Sequence, residues 1–260
     1  MKRLGVCADD YGMNLAVDRG ILAMAAQRRI TALSCLVTPP RWPEAARALA
    51  GCPAAAGLHV NLTEGEPLSP ALRRDWPRFP ALGRVIAAAF AHRLPPGVAG
   101  EIELQLQRFV AATGRAPAFI DGHQHVHALP GVRDGVLAAA RRLGVPLRNT
   151  GRVLGPGHAF KRQVIQACGG RALARRMRAD GVPHAPALLG VYGFDAAADY
   201  RALMRGWLQS APDAALLFCH PALGAAGDGD AIAAARQREA AYLGREAFAA
   251  DLAEFGVSLA

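Results

Sequence analysis

The chain alternates short apolar runs with longer stretches of helical period along its whole length. This alternation is typical of parallel strands that are connected by crossover helices. Eight apolar runs are predicted to be strands: Leu4–Ala8, Thr31–Val37, Gly57–Leu62, Ala118–Gly122, Pro146–Asn149, Leu188–Tyr192, Ala215–Cys219 and Val257–Leu259. Eight strands within 260 residues predict one α/β domain that closes into a (β/α) barrel.

Helical stretches lie between the predicted strands. They are Leu15–Arg28, Pro43–Leu49, Val85–His92, Ala99–Ala112, Gly131–Leu143, Phe160–Arg178, Tyr200–Gln209 and Ala231–Glu254. The last is predicted to break near Gly244, because glycine is a weak helix former. Two segments, Glu64–Leu82 and Thr150–Ala159, contain the glycines and prolines of long loops. Long loops in a compact domain often cover a site, so we expect both near the functional residues.

The composition indicates a globular protein with a basic surface. Hydrophobic residues make up 52% of the chain and charged residues 20%, which is enough apolar surface for a core. The formal charge of +9 favours an anionic partner, but the arginines are spread over the predicted helices. No basic motif with interleaved aromatic residues points to nucleic acid. We therefore predict a solvated basic surface and no nucleic-acid partner.

The cysteines and the first residues favour a cytoplasmic location. The five cysteines form no Cys-x-x-Cys pair, so they are predicted to be reduced thiols. The first residues, MKRLGVCADDYG, lack the apolar region of roughly 7 to 15 residues that a signal peptide needs. No apolar run reaches the roughly 18 residues of a membrane span. The sequence leaves the oligomeric state open, and a homodimer is compatible with it.

Two carboxylates follow the first predicted strand, in the run Ala8-Asp9-Asp10-Tyr11-Gly12. A regular strand would direct neighbouring side chains to opposite faces, whereas a bend at the strand end lets both approach one centre. Neighbouring carboxylates repel each other, so such a centre favours a cation, with Asp10 as a metal ligand and Asp9 as a base beside it. The alternative is that Asp10 or Asn14 only caps the following helix.

Histidines follow two further strands. His59 and Asn61 alternate with apolar residues in the third predicted strand, which places them either in solvent or inside a barrel. The run Asp121-Gly122-His123-Gln124-His125-Val126-His127 holds three of the eight histidines. If it is extended, the three imidazoles share one face, and if it is helical, His123 and His127 do. Either geometry supplies two imidazole ligands for a divalent metal.

A fourth polar group ends the buried run Leu216-Leu217-Phe218-Cys219. His220 comes next, and Pro221 stops the strand because it cannot donate to a ladder. Asp9, Asp10, His59, His123 and His220 thus all lie where predicted strands end, which is where barrel enzymes place catalytic residues. Their shared placement predicts a metal-dependent hydrolase.

These motifs resemble those of the YdjC family of carbohydrate deacetylases, nearly from end to end. The matching pieces are Ala8-Asp9-Asp10-Tyr11-Gly12, Gly57-Leu58-His59-Val60-Asn61-Leu62-Thr63 with Gly65 and Pro67, Asp121 to His127, and Cys219-His220-Pro221. Tyr11 stands where Phe is common in the family, and Gly122 where Ser is common; neither change removes a ligand.

The resemblance implies a TIM-like (β/α) barrel, a single domain over residues 1–260 that removes N-acetyl groups from an acetylated sugar or oligosaccharide. It implies that Asp10, His59 and His123 bind a divalent metal, that Asp9 is the base and that His220 is the acid. Two histidine ligands suit zinc, cobalt or nickel better than magnesium, while the resemblance leaves Mg²⁺ open beside Zn²⁺. The acetylated sugar is the expected partner.

Other functions fit parts of the same pattern. Histidines and aspartates at barrel ends also serve metal phosphoesterases and amidohydrolases, although an amidohydrolase often begins with His-x-His on its first strand. A glycan-binding barrel without catalysis would not require Asp9 and His220. A nucleic-acid binder rests only on the charge of +9.

Several other side chains are candidates for substrate contact. The three tryptophans, Trp42, Trp76 and Trp207, either stack on sugar rings or pack in the protein, and Trp76 in a long loop is the best of them. Arg148 ends a predicted strand, where it either meets a polar group of the substrate or forms a surface ion pair.

Overall fold

The computed structural model of the chain describes residues 1–195, 197–224 and 229–260. Within these ranges, seven strands form one curled sheet in which every strand pair is parallel. The strands are β1 (Lys2–Tyr11), β2 (Ala32–Cys35), β3 (Ala55–Val60), β4 (Ile120–Gly122), β5 (Leu188–Leu189), β6 (Ala215–Cys219) and β7 (Val257–Leu259). The predicted parallel α/β domain is confirmed.

The sheet is built outward from its first strand. The strand order is β4-β3-β2-β1-β6-β5, and β7 pairs with the first residues of β1, where Lys2 lies opposite Val257. Leu4, Val6 and Ala8 on one face of β1 and Cys7 on the other are buried, as expected for a central strand that is covered on both faces. Full burial of each leucine or valine side chain contributes about 1.5–3 kcal/mol. The central strand is therefore anchored firmly where it reaches the site.

The predicted closed barrel of eight strands is wrong in the described part of the chain. The predicted strand Pro146–Asn149 is not formed. In its place, residues 147–153 connect the two edges of the sheet, and we call them the edge-joining segment. Its Leu147 forms an isolated bridge with Ile120 of β4, and its Val153 forms another with Leu188 of β5. Between these bridges the side chain of Asn149 accepts a hydrogen bond from the backbone N–H of Gly151, which bends the chain away from a ladder. The sheet is therefore a curled, incompletely closed barrel.

Helices cover the sheet. They are α1 (Leu15–Ala26), α2 (Trp42–Ala48), α3 (Pro70–Asp75), α4 (Leu82–Phe90), α5 (Val98–Thr113), α6 (Arg133–Leu143), α7 (Ala159–Ile165), α8 (Arg171–Ala179), α9 (Tyr200–Ser210), α10 (Ala233–Leu243) and α11 (Glu246–Glu254). Within the ranges that the structure describes, none combines the length and the apolar character that a membrane crossing requires.

Most predicted helices are present, with two differences. Helix α3 lies inside the segment predicted as the long loop Glu64–Leu82. The predicted helix Phe160–Arg178 is interrupted by a π-turn at Gln166–Gly170, where Gly169 has a φ of 110°. A Cβ atom at Gly169 would lie 2.0 Å from the carbonyl oxygen of Ala128, so this turn packs directly against the residue that follows the histidine-rich segment Asp121–His127. The predicted break near Gly244 is confirmed between α10 and α11.

Candidate functional site

Asp9 and Asp10 reach the same cavity because the backbone of β1 turns at its end. Asp10 has a φ of 74°, and the register between β1 and β2 shifts between Ala8 and Tyr11. Both carboxylates are buried and line one cavity, as the expected bend requires. The side chain of Asn14 caps α1 by accepting a hydrogen bond from the backbone N–H of Val17. The capping role therefore belongs to Asn14, and Asp10 is free for other chemistry.

Asp10, His59 and His123 come together as the sequence predicts. One donor atom from each lies within 4.8 Å of the others, and all three residues are buried. Oδ1 of Asp10 lies 2.8 Å from Nδ1 of His123 and 3.5 Å from Nε2 of His59. These residues come from the ends of β1 and β3 and from the turn after β4, which meet at one edge because the strands are parallel.

The charges around this group favour a cation. Burial by itself would lower the pKa of His59, but the carboxylates of Asp121, Asp9 and Asp10 outweigh burial and raise that pKa to about 10. Burial would also lower the pKa of His123, and Asp10 with Glu64 raises it to about 9. Both imidazoles therefore hold protons that a metal ion would replace. One carboxylate and two imidazoles form a donor set that fits a divalent metal.

Asp121 fixes the orientation of the His59 ring. Its Oδ1 lies 2.6 Å from Nδ1 of His59, and the hydroxyl of Ser34 donates to the same oxygen. With the Nδ1 proton held by Asp121, Nε2 of His59 is the nitrogen that faces Asp10. A carboxylate behind a histidine ligand is the usual support of a metal site. Asp121 belongs to the histidine-rich sequence motif, but nothing in the sequence indicates this supporting role.

Arg148 holds the predicted base. Its guanidinium donates to both carboxylate oxygens of Asp9, over 2.6 and 2.7 Å, and it also lies 2.5 Å from Oδ2 of Asp121. Arg148 is 3% exposed, so the surface ion pair considered for it is wrong. The planar guanidinium matches a carboxylate in two parallel hydrogen bonds and so fixes the Asp9 side chain. The edge-joining segment thus brings Arg148 from one sheet edge to the centre of the site.

Arg236 of α10 orients Asp10 from the other side. Its Nη2 donates to Oδ2 of Asp10 over 2.7 Å, and its Nε donates to Asp230 over the same distance. Arg236 is almost fully buried. Because Oδ2 is engaged by Arg236, Oδ1 is the oxygen of Asp10 that faces the two histidines. No motif marks Arg236 in the sequence, because it lies in a helical run whose charged residues are typical of a solvent-exposed helix.

His220 lies in the same cavity, as predicted, at the end of β6. Its backbone N–H donates to Oε2 of Glu239, and its Nδ1 lies 3.9 Å from Oε1 of that carboxylate. Glu239 also accepts a hydrogen bond from the hydroxyl of Tyr192 over 2.6 Å. A buried carboxylate on α10 therefore fixes the His220 segment. Glu239 carried no signal in the sequence, because it sits in an Ala/Arg-rich helical run.

The histidine-rich segment is neither extended nor a regular helix. It forms a 3-10 turn over His123–Ala128, and Gln124 and His125 within it have φ values of 51° and 63°. Nε2 of His127 donates to the carbonyl of Arg148 over 3.1 Å, and burial lowers the pKa of His127 to about 4. His127 therefore ties this turn to the edge-joining segment, while His123 points to Asp10.

The cavity has a volume of about 660 Å³, and of the two predicted long-loop regions only the first contributes residues to its lining. Glu64 and Leu82 line it from the first region, and Lys161 and Ile165 of α7 line it just beyond the second. One wall is a row of rings with centroids 4.6 to 5.4 Å apart: His125, Phe218, His220, Phe194 and Tyr192. We call this row the aromatic wall.

The three tryptophans are not part of this wall. Trp42 and Trp207 are buried in the core, at 0% and 1% exposure. Trp76, the preferred candidate, is partly buried against the core and is not among the described residues that line the cavity. The packing alternative is therefore the one that the structure supports.

The fold and the site define a class of protein: a parallel α/β domain with a candidate divalent-metal group, two buried arginines and a histidine at the carboxyl edge of its sheet. The family model described as "YdjC-like protein" matches residues 3–254. The chain therefore belongs to the YdjC-like family.

Curated relatives match part of the chain. A carbohydrate deacetylase of Mus musculus is 37% identical over 150 residues, which is 55% of this chain and 48% of that protein. A chitooligosaccharide deacetylase of Klebsiella pneumoniae (strain 342) is 36% identical over 148 residues, which is 55% of this chain and 57% of that protein. The aligned segment thus spans about half the length of these relatives.

A solved structure shares the fold. A crystal structure of a protein from Enterococcus faecalis V583, named for cellobiose-phosphate cleavage, superposes with a TM-score of 0.76 at 23% identity. The match covers 100% of this chain and 97% of that one. The curled, parallel architecture is therefore shared over the full length.

Proposed function

We propose that this chain is a metal-dependent hydrolase that removes N-acetyl groups from an acetylated sugar or oligosaccharide. The observation that carries the proposal is the convergence of Asp10, His59 and His123 within 4.8 Å, with Asp9 and His220 lining the same cavity. The names of the curated relatives, carbohydrate deacetylase and chitooligosaccharide deacetylase, support it.

Asp10, His59 and His123 would hold the metal. A bound divalent ion supplies a Lewis acid that polarises the acetyl carbonyl and acidifies water. The side chains behind the donors suit this task, because Asp121 leaves Nε2 of His59 free and Arg236 leaves Oδ1 of Asp10 free. Two imidazoles favour Zn²⁺ on ligand softness, and Mg²⁺ is the second candidate.

Asp9 would act as the base. Its carboxylate lies beside the donor group at the end of β1, and the Arg148 guanidinium holds it in one orientation. A base that is fixed in this way takes a proton from water without first losing side-chain freedom. Arg148 thus acts as a positioning residue for Asp9.

His220 would act as the acid. Amide cleavage needs a proton on the departing nitrogen, and a protonated imidazole is a general acid that can supply one. Glu239 holds the His220 segment from the side of Nδ1, so that Nε2 is the nitrogen left for the substrate. Separate groups for the two proton transfers fit the hydrolysis of an amide.

The shape of the cavity supports a saccharide substrate. Its volume of about 660 Å³ falls in the range of about 300–1,000 Å³ that is usual for small-molecule sites. The aromatic rings and the carboxylates in its lining offer the combination of apolar faces and hydrogen-bonding groups that a sugar requires.

Acetate release from N-acetylated oligosaccharides of graded length, with and without chelator, tests the proposal. We expect release that stops when the metal is removed and returns with Zn²⁺ or Mg²⁺. Phosphate release without acetate release, from a panel of phosphorylated substrates, would instead favour a phosphoesterase. Saccharide binding without acetate release under every metal would favour a glycan-binding barrel.

Three further expectations belong to this proposal. Residues 1–260 act as one catalytic domain, which is supported by the family match over residues 3–254. The cytoplasm is the proposed location, in keeping with the five free cysteines. A homodimer is a prediction that light scattering on the purified protein tests.

A further inference from the structure

His125 occupies a place in the cavity that neither metal binding nor proton transfer uses. It lies two residues after His123, and it contributes to the cavity lining. Its ring packs edge-on against Phe218 at 5.4 Å, and Phe218 in turn packs against His220. The imidazole of His125 therefore lies at one end of the aromatic wall, where Phe218 separates it from the candidate acid.

The hydrogen-bonding groups of this ring are unused within the protein. Neither nitrogen of His125 forms a hydrogen bond with another described residue, and Nδ1 is enclosed. His127, two positions further on, is bound to the carbonyl of Arg148 instead. Nε2 of His125 is not enclosed and has no partner within the part of the protein that the structure describes, so it is the nitrogen that a ligand in the cavity can reach.

The backbone at this position is unfavourable for the residue it carries. Gln124 and His125 both adopt the left-handed region, with φ values of 51° and 63°. Glycine adopts this region readily and asparagine more easily than most residues. Strained backbone of this kind persists where packing enforces it, and it clusters at ligand-binding sites. The turn thus holds a histidine at a place that glycine or asparagine would occupy with less strain.

We propose that His125 is a substrate-binding residue whose imidazole forms a hydrogen bond with a hydroxyl group of the saccharide, next to the acetamido group that is cleaved. This inference rests on the proposed deacetylase function and deepens it. Because Nδ1 is enclosed, Nε2 is the nitrogen that meets the sugar. A hydroxyl both donates and accepts, so it pairs with Nε2 in either tautomer of the imidazole.

The variant His125→Phe tests this role, because it retains a ring against Phe218 and removes both nitrogens. We expect the KM for a β-1,4-linked disaccharide of N-acetylglucosamine to rise about ten-fold, as for one lost hydrogen bond that leaves its partner unpaired. The value of kcat should change less than three-fold. The affinity for Zn²⁺, measured by competition with a chromogenic chelator, should stay within two-fold of wild type.

His92→Phe is the matched control, and His125→Asn is a second variant at the proposed position. His92 is also left-handed, with a φ of 54°, but it is exposed and does not line this cavity. His92→Phe should therefore leave KM unchanged. His125→Asn fits the left-handed backbone and keeps polar atoms on a shorter side chain, so it covers the case in which His125→Phe does not fold. We expect its KM to rise as well.

Two results would overturn the inference. One is an unchanged KM in both His125 variants, and the other is a loss of Zn²⁺ affinity in parallel with turnover, which would mean that His125 only holds His123. If the wild-type protein releases no acetate, the deacetylase proposal fails instead. Calorimetric titration of the disaccharide into Zn²⁺-loaded wild type and His125→Phe then decides the binding role, and equal or absent binding in both would reject it.

Discussion

Asp9 and Asp10 are neighbours in the chain, yet their carboxylates have different partners. Asp9 is bound by Arg148, whereas Asp10 faces two histidines and receives one hydrogen bond from Arg236. The left-handed backbone at Asp10 makes this division possible, because a regular strand would direct one of the two away from the cavity. The separate roles proposed for them follow from these partners.

The division predicts different losses in two variants. Asp9→Asn should keep the bound metal and reduce kcat at least one hundred-fold, because the amide cannot accept the proton. His59→Ala or His123→Ala should lose metal affinity. Metal analysis of the purified variants beside an acetate assay distinguishes them. Asp134→Asn, which alters an exposed carboxylate paired with Arg176, is the control and should behave as wild type. Retained turnover in Asp9→Asn would remove that residue from the base role.

Arg148 pairs with two buried carboxylates, which its position at the end of a predicted strand did not indicate. We expect Arg148→Met to lower the free energy of unfolding by about 3–5 kcal/mol, because it leaves the buried carboxylates of Asp9 and Asp121 without their partner. Arg142→Met removes an exposed ion pair with Glu103 and should cost less than about 1 kcal/mol. Urea denaturation of both variants gives the comparison, and equal losses would contradict the proposed burial effect.

Some residues of the candidate site can be predicted from the sequence, and others cannot. The convergence of Asp9, Asp10, His59, His123 and His220 on one cavity was predictable, because each lies in or just after an apolar run that is typical of a strand. Arg148 was noticed at a strand end, but its partner depends on how the sheet curls. Glu239 and Arg236 were not predictable, because a charged residue in a helical run has the same pattern whether it faces solvent or the site.

At the scale of elements, α1 packs closely against the segment that carries His220. A Cβ atom at Gly20 of α1 would lie 2.5 Å from the backbone of Ala222, two residues beyond His220. Gly20→Ala should therefore cost about 1–3 kcal/mol of stability, as overpacking does, and should lower kcat by shifting His220. Thermal unfolding and acetate release measure the two effects.

Gly100 of α5 provides the matched substitution. A Cβ atom there would meet nothing within 4 Å, and the residue is exposed. Gly100→Ala should stabilise the protein by about 0.5–1 kcal/mol with no change in kcat. A similar loss of stability in both glycine variants would show that close packing of α1 is not the cause.

Strands and helices were largely predictable from periodicity, and the exceptions have local causes. The interruption of the predicted helix Phe160–Arg178 follows from Gly169, whose positive φ lets the chain pass close to Ala128. Periodicity could not show this, because the apolar spacing continues across the break. Barrel closure failed as a prediction because one of the eight predicted strands depended on a run of only four residues, Pro146–Asn149, whose last residue bends the chain.

At the scale of the whole molecule, metal binding should stabilise the fold. The donors come from β1, β3 and the turn after β4, so a bound ion connects parts of the chain that separate on unfolding. At one hundred times Kd the stabilisation is about 2.7 kcal/mol, which corresponds to a rise of about 5 °C in Tm for a chain of this length.

Thermal scans with Zn²⁺ and with chelator test this expectation. His92→Ala lies outside the donor group and should show the same rise in Tm as wild type. His123→Ala should show little or none, because it lacks one of three donors. A full rise in the His123 variant would place the metal elsewhere.

The edge-joining segment couples the closure of the sheet to the orientation of Asp9 in the site. Leu147 and Val153 attach its two ends to opposite edges of the sheet. Arg148, between them, binds Asp9, which lies 139 positions away in the chain. If the two edges of the sheet separate, Arg148 no longer holds the carboxylate of Asp9 in place. We therefore expect partly unfolded molecules to have no activity. The loss of turnover in urea should coincide with the loss of the circular dichroism signal.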